Sequence, residues 1–279
     1  MDVVDLFCGI GGFSEGARRA GHRVVMAVDA DATALATHRA NHRECARHVH
    51  ATLPAGLPPL PTTGRWHLHA SPPCQSLSQA NRRRPDAPAG LALVAWYLAL
   101  VERARPTTWS LEQVATPATV GLLAEWRARH PATCDYEVVW CYRYGVPQNR
   151  NRLVAGSPEL VRRLRARADL ADATVRAALP DAPTAWLMSA TDNTPDRHGG
   201  HRPLRPEECM RPTSRPSYTV LTSKVPRWVR ADGEVVRRLT PRECARLQTF
   251  PDAYELGARA YRGVGNAMPV ELARRLVQP

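Results

Sequence analysis

The first thirty-one residues leave few folds open. DVVDLF (2–7) is a short, largely apolar run that ends in a glycine turn, CGIGG (8–12). A helix-like stretch, FSEGARRAG (13–21), follows, and HRVVMAVDAD (22–31) reads as a second strand closing on Asp29 and Asp31. Strand, tight turn, helix and strand in that order make a βαβ unit. The alternation continues. RWHLHA (65–70), TTWSLEQV (107–114), YEVVWCYRY (136–144) and RLVAG (152–156) read as strands, and 90–105 as a helix that Pro106 ends. The pattern predicts an α/β domain, doubly wound around a mostly parallel sheet.

Composition narrows the function. Of 279 residues, 44% are hydrophobic and 23% charged, as in ordinary globular proteins. The start, MDVVDLFCGI, has neither a basic segment nor a long apolar run, and no window approaches a membrane-spanning length. A cytoplasmic protein with no membrane partner is expected, in monomeric form. Seven cysteines, widely spaced and without a C-x-x-C, argue against both a zinc site and a disulfide framework. His38 and His42 have helical spacing, but no glutamate follows His38 as in a zinc-protease motif, so they read as a solvated helix face and no metal is expected. A formal charge of +12 points to a polyanionic partner, nucleic acid first. Only Lys224 among the 38 basic residues is lysine, and arginine suits forked contacts to phosphate and guanine.

From about 157 to 238 prolines multiply and the βα alternation stops. Residues 197–230 carry eight basic side chains against Glu207 and Glu208, which marks the place to seek a polyanion contact. Order returns at LTPRECARLQTF (239–250), where Thr240, Pro241 and Glu243 predict a capping box. The division expected is a catalytic domain over 1–156 and 239–279, with a smaller irregular domain over 157–238.

Two groups of residues carry chemistry. Gly9, Gly11 and Gly12 let a ligand approach backbone amides at a helix start. Ser14 stands where a dinucleotide fingerprint needs its third glycine, so NAD is disfavoured. Asp29 is placed to bond a ribose diol, and an adenosine-bearing ligand without pyrophosphate, S-adenosylmethionine first, fits best; a plain βα turn is the alternative. In SPPCQSLS (71–78), two prolines aim Cys74, and Glu112 ends a later strand at the same sheet edge. Carbon 5 of cytosine is a poor nucleophile. Thiolate addition at carbon 6, with an acid at nitrogen 3, makes it one that can take a methyl group. Cys74 and Glu112 suit those two roles.

With these residues in place, the chain resembles the DNA (cytosine-5) methyltransferases. DLFCGIGGFSEG, SPPCQSLS, LEQV, PQNRNRL, RRLTPRECARLQTFP and GNAMP match the family's motifs in order and cover nearly everything outside 157–238. The resemblance implies a Rossmann-like S-adenosylmethionine-dependent fold with a small irregular target-recognition domain. It implies Phe7 stacked near the adenine, the backbone of 9–12 (Ile10 included) around the methionine part, and Pro73, Asn266 and Ala267 lining the same pocket. Arg150 and Arg152 would sit near the target base and Glu112, with Arg152 donating to the cytosine O2. Double-stranded DNA would be gripped by Arg82, Arg83 and Arg84 of the loop after the nucleophile, by Gln148, and by Thr219 and Thr222. A cytosine within a duplex must flip out to be reached.

The chain departs from the family at three places. Gln113 replaces the usual asparagine, Leu77 a phenylalanine, and Ala51 an acid that commonly contacts adenine. Gln113 raises the alternative of a modified, carboxylated donor. An RNA cytosine methyltransferase and a non-catalytic DNA-binding relative are the other rivals.

Overall fold

The structure, a computed structural model, describes residues 1–73, 87–169, 173–188, 193–195, 201–203, 209–222 and 224–279. Cys74, Leu77, Arg82, Arg83 and Arg84 lie outside the described residues.

Apolar strand segments stack into one seven-stranded sheet. Its strands are β1 (Asp2–Leu6), β2 (Arg23–Asp29), β3 (Arg47–His50), β4 (Trp66–Ala70), β5 (Thr108–Gln113), β6 (Asp135–Trp140) and β7 (Asn151–Gly156), in the order β3-β2-β1-β4-β5-β7-β6. The first five are mutually parallel, and β7 runs antiparallel between β5 and β6. Leu6 pairs with Val28 on one side and Ala70 on the other, and Ala70 pairs with Leu111. The carboxyl ends of β1, β2, β4 and β5 therefore share one edge.

Period-2 alternation sends side chains into two cores. Val3, Ala27 and Val154 enter one, and Val4, Val28, Leu153 and Ala155 the other. Helices α1 (Gly12–Arg19), α2 (Ala32–Asn41), α3 (Ala87–Ala104) and α4 (Pro117–Arg129) make the crossovers. β3 escaped the sequence pattern because RHVH has no buried alternation to display. Residues 141–144, read as strand, form a 3-10 turn that leads away from β6.

Beyond β7 lie α5 (Pro158–Ala166), α6 (Val175–Ala178), β8 (Trp186–Met188), β9 (Asn193–Pro195), β10 (His201–Pro203), β11 (Met210–Pro212), β12 (Arg227–Val229) and β13 (Val235–Arg238). α5 falls in the stretch read as irregular, yet it buries Leu160 and Leu164 in the same core as Val3 and Leu272. A four-stranded sheet, β11-β8-β12-β13, follows. Then come α7 (Pro241–Leu247), α8 (Ala260–Asn266) and α9 (Val270–Val277). The capping box at Thr240 and Glu243 is present, and Glu243 also accepts from Trp228 Nε1 at 2.9 Å, which ties the small sheet to α7.

Helix α9 closes the flank of β1 by lying on α1. The contact is backbone-close: a Cβ on Gly16 would stand 2.5 Å from Ala273 Cβ and 2.6 Å from the Val270 carbonyl oxygen. Gly16→Ala is expected to destabilise the protein by about 1–3 kcal/mol, since two packed helices must part to admit a methyl group. Denaturant titration of the two proteins measures it.

Candidate active site

The glycine turn is held from three sides. Phe7, Gly9 and Gly11 have φ of +58°, +54° and +99°, and the backbone folds back on itself within five residues. Asp29, at the end of β2, accepts from the Gly9 amide at 2.8 Å and the Asp31 amide at 2.7 Å. Burial pushes its carboxyl above the usual range, against those backbone hydrogen bonds. From beneath, Tyr254 donates to the Ile10 carbonyl and accepts from His42 Nε2 at 3.1 Å. A Cβ at Gly11 would meet the Tyr254 hydroxyl at 2.6 Å, so the packing under the turn requires a glycine here.

In front of the turn opens a cleft of about 740 Å³. Phe7, Gly9, Ile10, Gly12 and Asp29 line one wall, Pro73 another, and Asn266 and Ala267 a third; Ala51 is there as well. Phe7 is braced edge-on by Trp96, with ring centroids 6.3 Å apart. Glu112, Arg150 and Arg152 line the same cleft. Glu112 pairs across the ladder with Val154, so Arg152, two residues away on β7, shares its face. Arg152 Nε lies 2.8 Å from Glu112 Oε1, both side chains almost entirely buried. Arg152 Nη1 also donates to the Asn151 carbonyl at 2.6 Å. Arg150 points the other way along the cleft floor. Its guanidinium donates to the carbonyls of Val220, Gly265 and Ala267 at 3.2–3.3 Å, which ties the segment around Val220 to the C-terminal end of α8.

Several expectations change. Gln148 is fully buried and does not face a duplex. Its amide donates to the Leu247 carbonyl at 2.7 Å and Gln248 Oε1 at 3.0 Å, and its oxygen accepts from the Val220 amide at 2.9 Å. Gln113 donates to the Pro72 carbonyl at 3.2 Å, so its extra length reaches the proline turn. His38 and His42 are not a solvated face: both are buried under the glycine turn. Among the described residues no group of three or more His, Cys, Asp or Glu is placed to hold a metal ion, and no helix is long and apolar enough to cross a membrane. Thr219 and Thr222 are half-buried, with Thr219 Oγ1 donating to the Asn149 carbonyl at 2.9 Å.

Two features were not found from sequence. Asp5 lines the cleft although it is 1% exposed. Its Oδ2 accepts from Ser14 and its Oδ1 is buried without a hydrogen-bond partner. Its signal is a carboxylate inside an otherwise apolar strand. The other is a buried chain of polar groups behind β4. His67 joins Thr108 and Ser110, and His69 joins Ser110 and Ser71, at 2.8–2.9 Å throughout. Burial holds the His67 imidazole down to about 3 and His69 well below its ordinary value, so both rings are neutral and brace Ser71 at the start of the proline turn.

Gln148→Ala is expected to cost about 1–3 kcal/mol of stability, because it strands a buried carbonyl and a buried amide. Urea titration reads the loss.

Comparison with known proteins agrees with this geometry. The family model for C-5 cytosine-specific DNA methylase matches residues 1–157 and 181–278. Type II methyltransferase M.MthTI of Methanothermobacter thermautotrophicus is 26% identical over 100% of this chain and 96% of its own length. M.NlaX of Neisseria lactamica is 25% identical over 99% and 95%. M.AgeI of Thalassovita gelatinovora is 33% identical over 55% of this chain, a match that spans 38% of that relative. The structure of the S. pombe Dnmt2 methyltransferase shares the fold, with a TM-score of 0.63 at 14% identity over 100% of this chain and 97% of that one. With the family model covering both halves of a cleft that joins a glycine turn to a buried glutamate, the chain belongs to the C-5 cytosine-specific DNA methylases and is a DNA cytosine-5 methyltransferase.

Proposed function

We propose that the methyl group comes from S-adenosylmethionine and that Cys74 activates cytosine by bonding to it. The observation that carries this reading is a shared cleft. The glycine turn with Asp29, the Glu112–Arg152 pair, and Pro73, whose next residue is Cys74, all open onto one space. The cleft suits the donor's chemistry: Phe7 offers a flat apolar surface, Asp29 a carboxylate for a diol, and Asp5 a buried, unpartnered carboxylate oxygen for a positive charge. Phe7, Gly9, Ile10, Gly12, Asp29, Pro73, Asn266 and Ala267 would hold it, and when bound it supplies an electrophilic methyl group.

The residues of the chain do the rest. The thiolate of Cys74 adds to carbon 6 of a flipped-out cytosine, forming the S–C6 bond, while Glu112 gives a proton to nitrogen 3. Carbon 5 gains nucleophilic electron density, takes the methyl group and then gives its own proton to a water molecule acting as base. The sulfur departs as the ring double bond re-forms, and nitrogen 3 returns its proton. Arg152 fixes the Glu112 carboxyl and offers its remaining donors to the cytosine O2. Arg150, tied to the Val220 carbonyl and to two carbonyls at the end of α8, keeps the cleft floor in shape.

We assign 1–156 and 239–279 to catalysis and 157–238 to reading the DNA sequence, with α5 packed on the catalytic side. Arg82, Arg83, Arg84, Thr219 and Thr222 would meet the duplex, and exposed Arg215, Lys224 and Arg230 add positive charge on the recognition side. A duplex carrying 5-fluorocytosine, which cannot shed its fluorine as a proton, traps the covalent state. The intact protein is expected to yield an adduct stable to denaturation, and Cys74→Ala none. Glu112→Gln is expected to slow methylation by about 10²–10⁴-fold, read by transfer of labelled methyl groups to DNA. An adduct formed by Cys74→Ala would overturn the reading.

A further inference from the structure

Behind the glycine turn, a chain of buried groups ends on Asp5. Ser14 Oγ donates to Asp5 Oδ2 at 2.7 Å, and His38 Nε2 lies 2.9 Å from the same Ser14 oxygen. His38 Nδ1 lies 3.0 Å from His48 Nε2. Burial keeps the His38 imidazole well below its ordinary value, with His42 and His48 adding to the effect, so the ring is neutral and has one N–H. That fixes every direction. The Ser14 proton is committed to Asp5, so His38 must donate from Nε2, accept at Nδ1, and take its proton from His48 Nε2. Three donors in series therefore point from half-buried His48 to a carboxylate whose other oxygen, Oδ1, is buried, unpartnered and on the donor cleft.

We infer that the His48–His38–Ser14 chain positions Asp5 and sets its charge, so that the ammonium group on the amino-acid tail of the bound donor displaces a proton from Asp5. The inference rests on the donor reading given above and extends it to regulation by pH. Burial raises the Asp5 carboxyl to about 7, with the Ser14 hydrogen bond opposing and nearby Asp29 adding. Cys8, Cys45, Tyr97 and Tyr254 also face Asp5, and burial keeps all four neutral. Around the histidines stand His42, Arg39 and Glu44, with Glu15 and Arg18 beyond His42. A cation at Oδ1 favours the carboxylate, so the Asp5 midpoint falls on binding and a proton leaves. Affinity then rises with pH toward a plateau above about 7 and falls below it.

Calorimetry on the full chain tests this, in buffers of different ionisation enthalpy, with two ligands. S-adenosylhomocysteine carries the ammonium; methylthioadenosine keeps adenosine and lacks it. The first is expected to release a proton and to bind about tenfold more weakly near pH 6 than near pH 8. The second is expected to release none and to show a flat profile, which separates Asp5 from Asp29 at the ribose. Ser14→Ala and His48→Ala are expected to move the S-adenosylhomocysteine midpoint to higher pH while leaving methylthioadenosine affinity in place, a split that mere loosening of the turn would not give. Equal proton counts for both ligands, or unmoved midpoints in both variants, would overturn the relay. Failure of both ligands to bind would overturn the donor reading, and the relay with it.

Discussion

A carboxylate at the end of a parallel strand organises this molecule's working edge. Asp29 takes two backbone amides, from Gly9 and Asp31, and so fixes the turn after β1 to the turn after β2. The parallel register then brings the turns after β4 and β5 to the same edge, because Leu6, Val28, Ala70 and Leu111 sit in adjacent rungs. Neither device would suffice alone. Register brings the strand ends together, but only a fixed turn with φ above zero at Phe7 and Gly9 leaves space in front of them. The cleft is the space that those two constraints leave.

Keeping that space open obliges the protein to bury many polar groups behind it. Desolvating such groups costs free energy unless each finds a partner, so they come as connected chains. One runs from His48 to Asp5, one from Thr108 through His67, Ser110 and His69 to Ser71, and one joins Gln148, Gln248 and the carbonyls of Leu247 and Val264. Each chain ends at a backbone turn or side chain that lines or supports the cleft. Apolar packing could fill the same volume, but it would not hold a carbonyl or hydroxyl in a chosen direction.

Residues whose role is local were legible in the sequence. The glycine turn, Asp29, Glu112, the capping box at Thr240 and six of the strands carry their signal within a dozen residues. The hidden features depend on partners far along the chain. His38 and His42 show helical spacing, and nothing near them reveals that Tyr254, 212 residues on, roofs them over. Gln148 sits in a motif rich in exposed-looking polar residues, yet its partners lie about a hundred residues away in α7. β3 and α5 were missed for a related reason. RHVH takes its strand form from hydrogen bonds to β2, and α5 takes its burial from α9 and from strands β6 and β7.

Position 113 shows how a single step in sequence can decide between two chemistries. Along β5 side chains alternate, so Glu112 and Gln113 cannot both face the cleft. Glu112 shares a face with Val154 and Arg152 and lines the cleft; Gln113 is turned toward the proline segment and bonds the Pro72 carbonyl. Its side-chain oxygen accepts from the Val114 amide at 2.9 Å, so both ends of the amide are committed. A shorter asparagine at this place would reach less far toward the turn that precedes Cys74. The departure from the family pattern therefore acts on how the proline turn before Cys74 is propped, while Asp5, Phe7 and Asp29 line the cleft itself.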